Sequence, residues 1–283
     1  MTVLQVSNLY KRYEKFALED VSFALEEGRI MGFIGRNGAG KTTTLKSLLH
    51  FVHPDSGQIR FFGSALAENE RRIKQRIGYV AGGVDVYPKK KLSTITRITK
   101  GFYDDWDDAA YARCMERFHL DEDKTPAQLS AGLKVKYALT LALSHNARLL
   151  LLDEPTSGLD PVSRDELLEL FLTLVREQGV SILFSTHITS DLDKCADDIT
   201  YIRAGRILAS QPIEDFQDAY RAVTFQEEEL PGEFRPLLIG VKQGKRECSA
   251  LVRAQDAARL PIPAQPADLE TIMVHLEKEG DAC

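Results

Sequence analysis

The stretch Gly35-Arg36-Asn37-Gly38-Ala39-Gly40-Lys41-Thr42 fits G-x-x-x-x-G-K-[ST], and its residue types suit one task, the holding of a chain of phosphates. Gly35, Gly38 and Gly40 let the backbone curl closely enough for its N–H groups to face phosphate oxygens. A helix opening at Lys41 would bring the positive end of its dipole to the same place. Lys41 is expected to reach the β- and γ-phosphates, and the Thr42 hydroxyl to ligate Mg²⁺. Asn37 and Thr43 complete the expected contacts along the loop. The plain alternative is a glycine-rich turn that arose by chance. Its neighbours argue otherwise: the apolar run Ile30 to Ile34 leads in, and Leu45, Leu48 and Leu49 recur behind it at helical spacing.

A second pair of chemical groups ends the run LLLLDEP. Asp153 is placed to hold Mg²⁺, through water, as the acidic partner of the phosphate loop. Glu154, one residue on, is placed to polarise a water for in-line attack on the terminal phosphate. Taken alone, Asp-Glu after four leucines reads as a strand end turning to solvent. Beside the phosphate loop it becomes the second half of a nucleotide-hydrolysing site.

The elements that must carry these groups are legible from periodicity. Leu149 to Leu152 is continuously apolar, as a parallel strand covered on both faces should be. Asp160 followed by Pro161 predicts a helix start, Leu167, Phe171 and Leu174 mark its buried face, and Gly179 its end. Val180 to Phe184 then reads as another strand. Strand, helix, strand in this order predicts an α/β sheet with right-handed crossovers. Two stretches break the rhythm. From about 88 to 146 the pattern is helical and includes the acidic, aromatic segment FYDDWDD, residues 102–108. After about Gln211 it changes to short strand-like pieces, Ala222 to Phe225 and Ser249 to Val252, and a last helix from about Asp268 to Lys278.

Composition excludes several classes. The 283 residues carry a net charge of −6, and the basic run Lys89, Lys90, Lys91 is too short to suggest a nucleic-acid surface. Four scattered cysteines form no CxxC pair, which points away from zinc and disulfides and toward a reducing compartment. No secretory h-region and no run of about 18 apolar residues is visible, so the expectation is a cytosolic chain, at most peripherally attached to a membrane.

The motifs together resemble the ABC ATPase family over nearly all of the first 215 residues. LSAGLK, Leu129 to Lys134, resembles its signature motif; TSGLD, Thr156 to Asp160, its D-loop; STH, Ser185 to His187, its switch histidine segment. Tyr13 matches the aromatic that stacks on adenine. The resemblance implies an α/β fold: a P-loop NTPase core, RecA-like, with a mostly parallel sheet and an antiparallel N-terminal β part over 1–215. The pattern of the chain itself adds a helical insertion over about 88–146 and a small α+β accessory domain over 216–283. The resemblance also implies ATP and Mg²⁺ as cofactors, and two nucleotide domains, in a homo- or heterodimer, closing head to tail over two ATP molecules. Ser130 and Gly132 of one copy would cap the γ-phosphate held on the other copy's Lys41. Asp160 would join the nucleotide contacts, and His187 would face the γ-phosphate. The implied function is an ATP-hydrolysing transport motor, peripheral at the inner face of the cell membrane beneath polytopic permease subunits, with no nucleic-acid partner. FYDDWDD, the ending PADLETIMVHLEK and the short tail are similar to bacterial exporter ATPases of the antibiotic-resistance type found in GntR-regulated operons. The plain reading of FYDDWDD is a helix cap that packs its aromatics within the insertion.

Two positions depart from the family pattern. Gly82 stands where a Mg²⁺-binding, partner-contacting glutamine is usual, with Asp85 the nearest carboxylate, and Leu133 replaces a common glutamine in the signature. Two alternatives to a transport motor stand beside it: a soluble ABC ATPase acting on ribosomes or DNA, and, left open by Gly82, a regulatory protein that binds ATP but turns it over poorly.

Overall fold

In a computed structural model of the chain, β1 (Thr2–Arg12) and β2 (Ala17–Glu26) run antiparallel, and β2 alternates buried and half-buried or exposed residues as a one-sided strand does. β3 (Ile30–Ile34) is buried at every position and leads through the glycine-rich loop into α1 (Lys41–Leu48). β4 (Ser56–Phe61) and β5 (Ser64–Ala65) complete a four-stranded sheet of order β2-β1-β4-β5. α2 (Leu66–Lys74) and β6 (Ile77–Ala81) follow, and then the helical insertion with α3 (Leu92–Lys100), α4 (Asp108–Arg117) and α5 (Ala131–Ser144). The structure describes residues 1–81, 87–226, 230–245 and 247–280. The questions raised by Gly82 and Asp85 therefore lie outside the described residues.

After the insertion come β7 (Leu149–Asp153), α6 (Pro161–Gln178), β8 (Ser181–Thr186), α7 (Thr189–Cys195), β9 (Asp198–Arg203) and β10 (Arg206–Pro212). The second sheet has the order β10-β9-β3-β8-β7-β6, with β9, β3, β8, β7 and β6 parallel to one another. Leu149, Leu150, Leu151 and Leu152 are each fully buried. At roughly 1.5–3 kcal/mol for each side chain so covered, this strand is a main anchor of the layer. The start and stop of α6 follow the sequence signals. Asp160 accepts from the N–H groups of Val162 and Ser163, Pro161 takes the first helical position, and Gly179 ends the helix at φ 64°.

The insertion builds its own core from Leu92, Ile95, Tyr111, Met115, Leu129 and Tyr137. The hydroxyl of Thr96 bonds those of Tyr111 (3.0 Å) and Tyr137 (2.9 Å), so these buried phenols are satisfied. In FYDDWDD, Asp107 caps α4, accepting from Ala109 and Ala110, while Trp106 packs on that core. Tyr103 stacks on His145 with ring centroids 3.7 Å apart. The Gln75 side chain holds the same segment by both ends of its amide, donating to Phe102 O (2.8 Å) and accepting from Asp104 N (2.8 Å).

The chain divides into two compact units, Met1–Ser210 and Gln211–Cys283. The division falls ahead of α8 (Ile213–Asp218), so that helix lies whole in the second unit. The second unit continues with β11 (Tyr220–Phe225), β12 (Leu238–Gln243), β13 (Cys248–Arg253), β14 (Ala264–Pro266) and α9 (Leu269–Gly280). Its antiparallel sheet has the order β12-β13-β11-β14, and α9 packs along β12, β11 and β13. Val223, Phe225, Ala250 and Val252 form its apolar core.

Candidate functional site

The parallel register sets the carboxyl ends of three neighbouring strands side by side. Ile34 of β3 pairs with Thr186 of β8, and Ser185 of β8 pairs with Asp153 of β7. The phosphate loop leaves from the first of these ends, the carboxylates from the third, and His187 from the one between. Side-chain chemistry at this edge thus follows from strand order, as in open α/β sheets generally.

In the loop, Gly38 and Gly40 adopt φ 81° and 117°, a region that a side chain would strain, and Gly40 directly precedes α1. Gly35 is buried, and a Cβ there would lie 2.2 Å from the carbonyl oxygen of Ile202. Asn37 is exposed on the loop, Thr42 is exposed and Thr43 half-buried at the start of α1. Lys41 is buried, and its ammonium is enclosed by oxygen: Gly35 O at 2.7 Å, Arg36 O at 3.3 Å and Glu154 Oε1 at 3.2 Å. The loop carbonyls therefore hold the charge at the mouth of the loop.

Glu154 is the centre of the site. One carboxylate oxygen faces Lys41, and the other lies 2.7 Å from His187 Nδ1. Its backbone has φ 52°, unusual for a residue with a side chain, and it is pinned there by its own N–H. That N–H reaches both the Ser185 hydroxyl (2.9 Å) and the Ser185 carbonyl (3.2 Å). The Ser185 hydroxyl in turn donates to Asp153 Oδ1 (2.7 Å), which also accepts from Thr42 Oγ1 (3.1 Å). Lys41, Thr42, Asp153, Glu154 and His187, all singled out from sequence, are thus joined in one network. Ser185, within the STH motif, carries no role that its spacing reveals, yet it joins both carboxylate residues. Only the pairing register of β7 with β8 reveals that.

The other expected residues lie on separate segments. Tyr13 is 43% exposed between β1 and β2, with its ring 6.5 Å from that of Phe16. Ser130 caps α5 by accepting from Leu133 N (3.3 Å), and Gly132 lies against Ser163 and Leu159. Asp160 caps α6. The hydroxyl of Thr42 and the carboxylate of Asp153 are hard oxygen donors, a set that suits Mg²⁺, which takes one or two protein oxygens beside those of phosphate and water. Among the described residues no group of three or more His, Cys, Asp or Glu side chains converges as a cage for a metal of its own.

A separate apolar groove of about 460 Å³ opens between β6 and the insertion, lined among others by Phe51, Tyr79, Ile95, Tyr103 and Leu141. Phe51 is 60% exposed there, an unusual position for so large an apolar ring. No helix among the described residues is long and apolar enough to cross a membrane.

A phosphate loop at the centre of a mostly parallel sheet, with an Asp-Glu strand end and a histidine beside it, defines a P-loop nucleotide-hydrolysing fold. Residues 18–157 match the ABC transporter family. The chain is 31% identical over 223 residues to the bacitracin transport ATP-binding protein BcrA of Bacillus licheniformis, covering 78% of this chain and 73% of that protein. It is 34% identical over 208 residues to the Nod factor export ATP-binding protein I of Burkholderia lata, covering 71% and 68%. The solved structure of an ATP-binding subunit of an ABC transporter superposes with a TM-score of 0.67 at 30% identity, covering 76% of this chain and 92% of that one. The chain belongs to the ABC transporter ATP-binding family and is an ATP-binding, ATP-hydrolysing motor subunit.

Proposed function

We propose that ATP is hydrolysed at the edge formed by β3, β7 and β8, with Glu154 as the general base, and that two nucleotide domains assemble there over two ATP molecules. The observation that carries this reading is the Glu154 carboxylate held between the Lys41 ammonium and the His187 ring. Loop N–H groups and Lys41 bind the phosphates and offset their charge. Thr42 and Asp153 are the residues to hold Mg²⁺, which when bound supplies Lewis-acid neutralisation of phosphate charge. Glu154 takes the proton of the attacking water, and His187 fixes the direction of that carboxylate. Tyr13 offers its exposed face to the adenine ring. Ser130 and Gly132 open α5, so their N–H groups and the positive helix end suit a γ-phosphate bound on a second copy or a related subunit.

In the same reading the first unit is the nucleotide-binding domain and the second an accessory domain. The partner is a polytopic membrane protein, and the apolar groove beside β6 is the surface of the first unit best suited to receive it. Relatives named for bacitracin transport and Nod factor export favour an exporter, with this subunit at the cytoplasmic face of the membrane. Affinity capture of the tagged chain from detergent-solubilised membranes, expressed with its neighbouring genes, tests the assignment. Recovery of a multi-span protein in stoichiometric amount is expected. Capture of the chain alone, or with ribosomes, contradicts it.

A further inference from the structure

Behind the hydrolytic network lies a buried polar cluster that the mechanism above does not use. Asp191, in the first turn of α7, is 1% exposed. Arg164 Nε of α6 stands 4.0 Å from its Oδ1. Thr156, fully buried in the turn after Glu154, presents its hydroxyl to the same carboxylate and favours its charged form, without completing a hydrogen bond of ordinary geometry. Burial pushes the Asp191 carboxyl up; Thr156, Arg164, Lys194 and His187 oppose that shift. Thr156 Oγ1, Arg164 Nε and Asp191 Oδ2 are all buried without a completed hydrogen bond. A carboxylate in such a place is costly unless its partners engage it, so a packing role alone does not account for it.

Its position explains more. His187 is four residues before Asp191, and the turn between them is closed by Asp191 N donating to Ile188 O (3.3 Å). Thr156 is two residues after Glu154. One carboxylate therefore faces, from behind, both segments whose front sides meet in the 2.7 Å contact of His187 with Glu154. The third partner, Arg164, belongs to a helix that is braced on two sides. Ser163 and Glu166 of α6 meet α5, through Gly132 and through Lys136 at 2.7 Å, while Arg164 and Asp165 meet α7 through Asp191 and Lys194. The first turns of α6 thus stand between the helix that Ser130 caps and the helix that follows His187.

We infer that Asp191 is a positioning residue for hydrolysis: by pairing the first turn of α7 with Arg164 of α6, it sets His187 against Glu154. This rests on the reading of Glu154 as the base. Asp191 does not touch nucleotide, so it governs turnover and not binding.

The test uses the full chain and measures ATP affinity with a fluorescent ATP analogue, turnover by phosphate release, and thermal stability. Asp191→Asn keeps the shape and relieves the burial of charge, so the melting temperature should hold or rise. Its kcat should fall at least about tenfold, with ATP affinity within about twofold of wild type. Arg164→Met should fall similarly, and the double variant should be no slower than either single one, because both remove the same tie. Unchanged kcat in Asp191→Asn overturns the inference. So does a kcat loss matched by equal losses in affinity and melting temperature, or a double variant whose losses multiply. Glu154→Gln is run beside them. If it turns over at the wild-type rate, the reading of the base fails and takes the inference with it; if it is inactive while Asp191→Asn is fully active, only the inference fails.

Discussion

The six-stranded sheet of the first unit and the four-stranded sheet of the second both bury aliphatic side chains on strands of similar length, yet they differ in strand direction. In the first, β3, β8 and β7 run parallel, so three chain segments emerge at one edge and bring Lys41, His187 and Glu154 within bonding distance. In the second, β11 pairs antiparallel with both β13 and β14, and neighbouring strand ends point opposite ways. Its one deeply buried histidine, His275, has Nδ1 2.7 Å from Gly240 O, where a Cβ on Gly240 would strike the backbone of His275. That contact closes α9 onto β12. Strand direction gathers reactive groups at one sheet edge in the first unit, whereas in the second the antiparallel order spreads neighbouring strand ends over both edges.

Substitutions sharpen the contrast, the largest effect first. On the proposed reading Lys41→Ala removes a buried ammonium that would bond phosphate; charge-assisted bonds of that kind are worth about 1.5–3 kcal/mol, so ATP affinity should weaken by roughly 10- to 100-fold. Nucleotide titration by fluorescence reads this directly, and equal affinities would count against the phosphate-loop assignment. Ser185→Ala takes away the hydroxyl that joins Asp153 to the Glu154 backbone. About a tenfold loss of turnover is expected, with the buried acceptor left short by about 1–3 kcal/mol of stability, seen in urea unfolding. Retained turnover would show that Glu154 holds its unusual backbone without that bond.

Leu251→Ala probes the other side of the comparison. This residue is fully buried in β13, and the lost packing should destabilise the second unit by about 2–5 kcal/mol. Turnover per folded molecule should stay unchanged, and a proportionate fall would mean that the second unit contributes to hydrolysis. The smallest effect concerns pH. Burial depresses His145 below its ordinary value of 6.5, so the unfolded chain binds the proton first. Stability present above that value is therefore lost as the pH falls through it toward the folded-state value. A declining melting temperature between about pH 7 and pH 5 is expected, with a flatter decline in His145→Gln.

What the sequence made legible was local. The phosphate loop is one contiguous motif, α6 announces its ends with Asp160, Pro161 and Gly179, and the four leucines mark a strand covered on both faces. FYDDWDD does in the structure what a cap and a small aromatic cluster do: Asp107 caps α4 and Trp106 packs behind it. What stayed hidden depends on register and tertiary packing. Ser185 matters because β8 lies beside β7 in one register, and a shift of one residue would turn its hydroxyl to the other face of the sheet. Asp191, Arg164 and Thr156 come from three segments and meet only when α6 packs on α7. No spacing in the chain signals that meeting.

Turnover in the proposed mechanism depends most on Glu154, which takes the proton of the attacking water. Glu154→Gln keeps the size of the side chain and a hydrogen-bonding group but lacks the base, and a positioned base contributes about 10²- to 10⁴-fold to rate. Phosphate release should fall by at least about a hundredfold while ATP affinity is retained, and the variant should elute as an ATP-dependent dimer on size-exclusion chromatography. Hydrolysis at a rate near wild type, with ATP bound normally, would contradict the account.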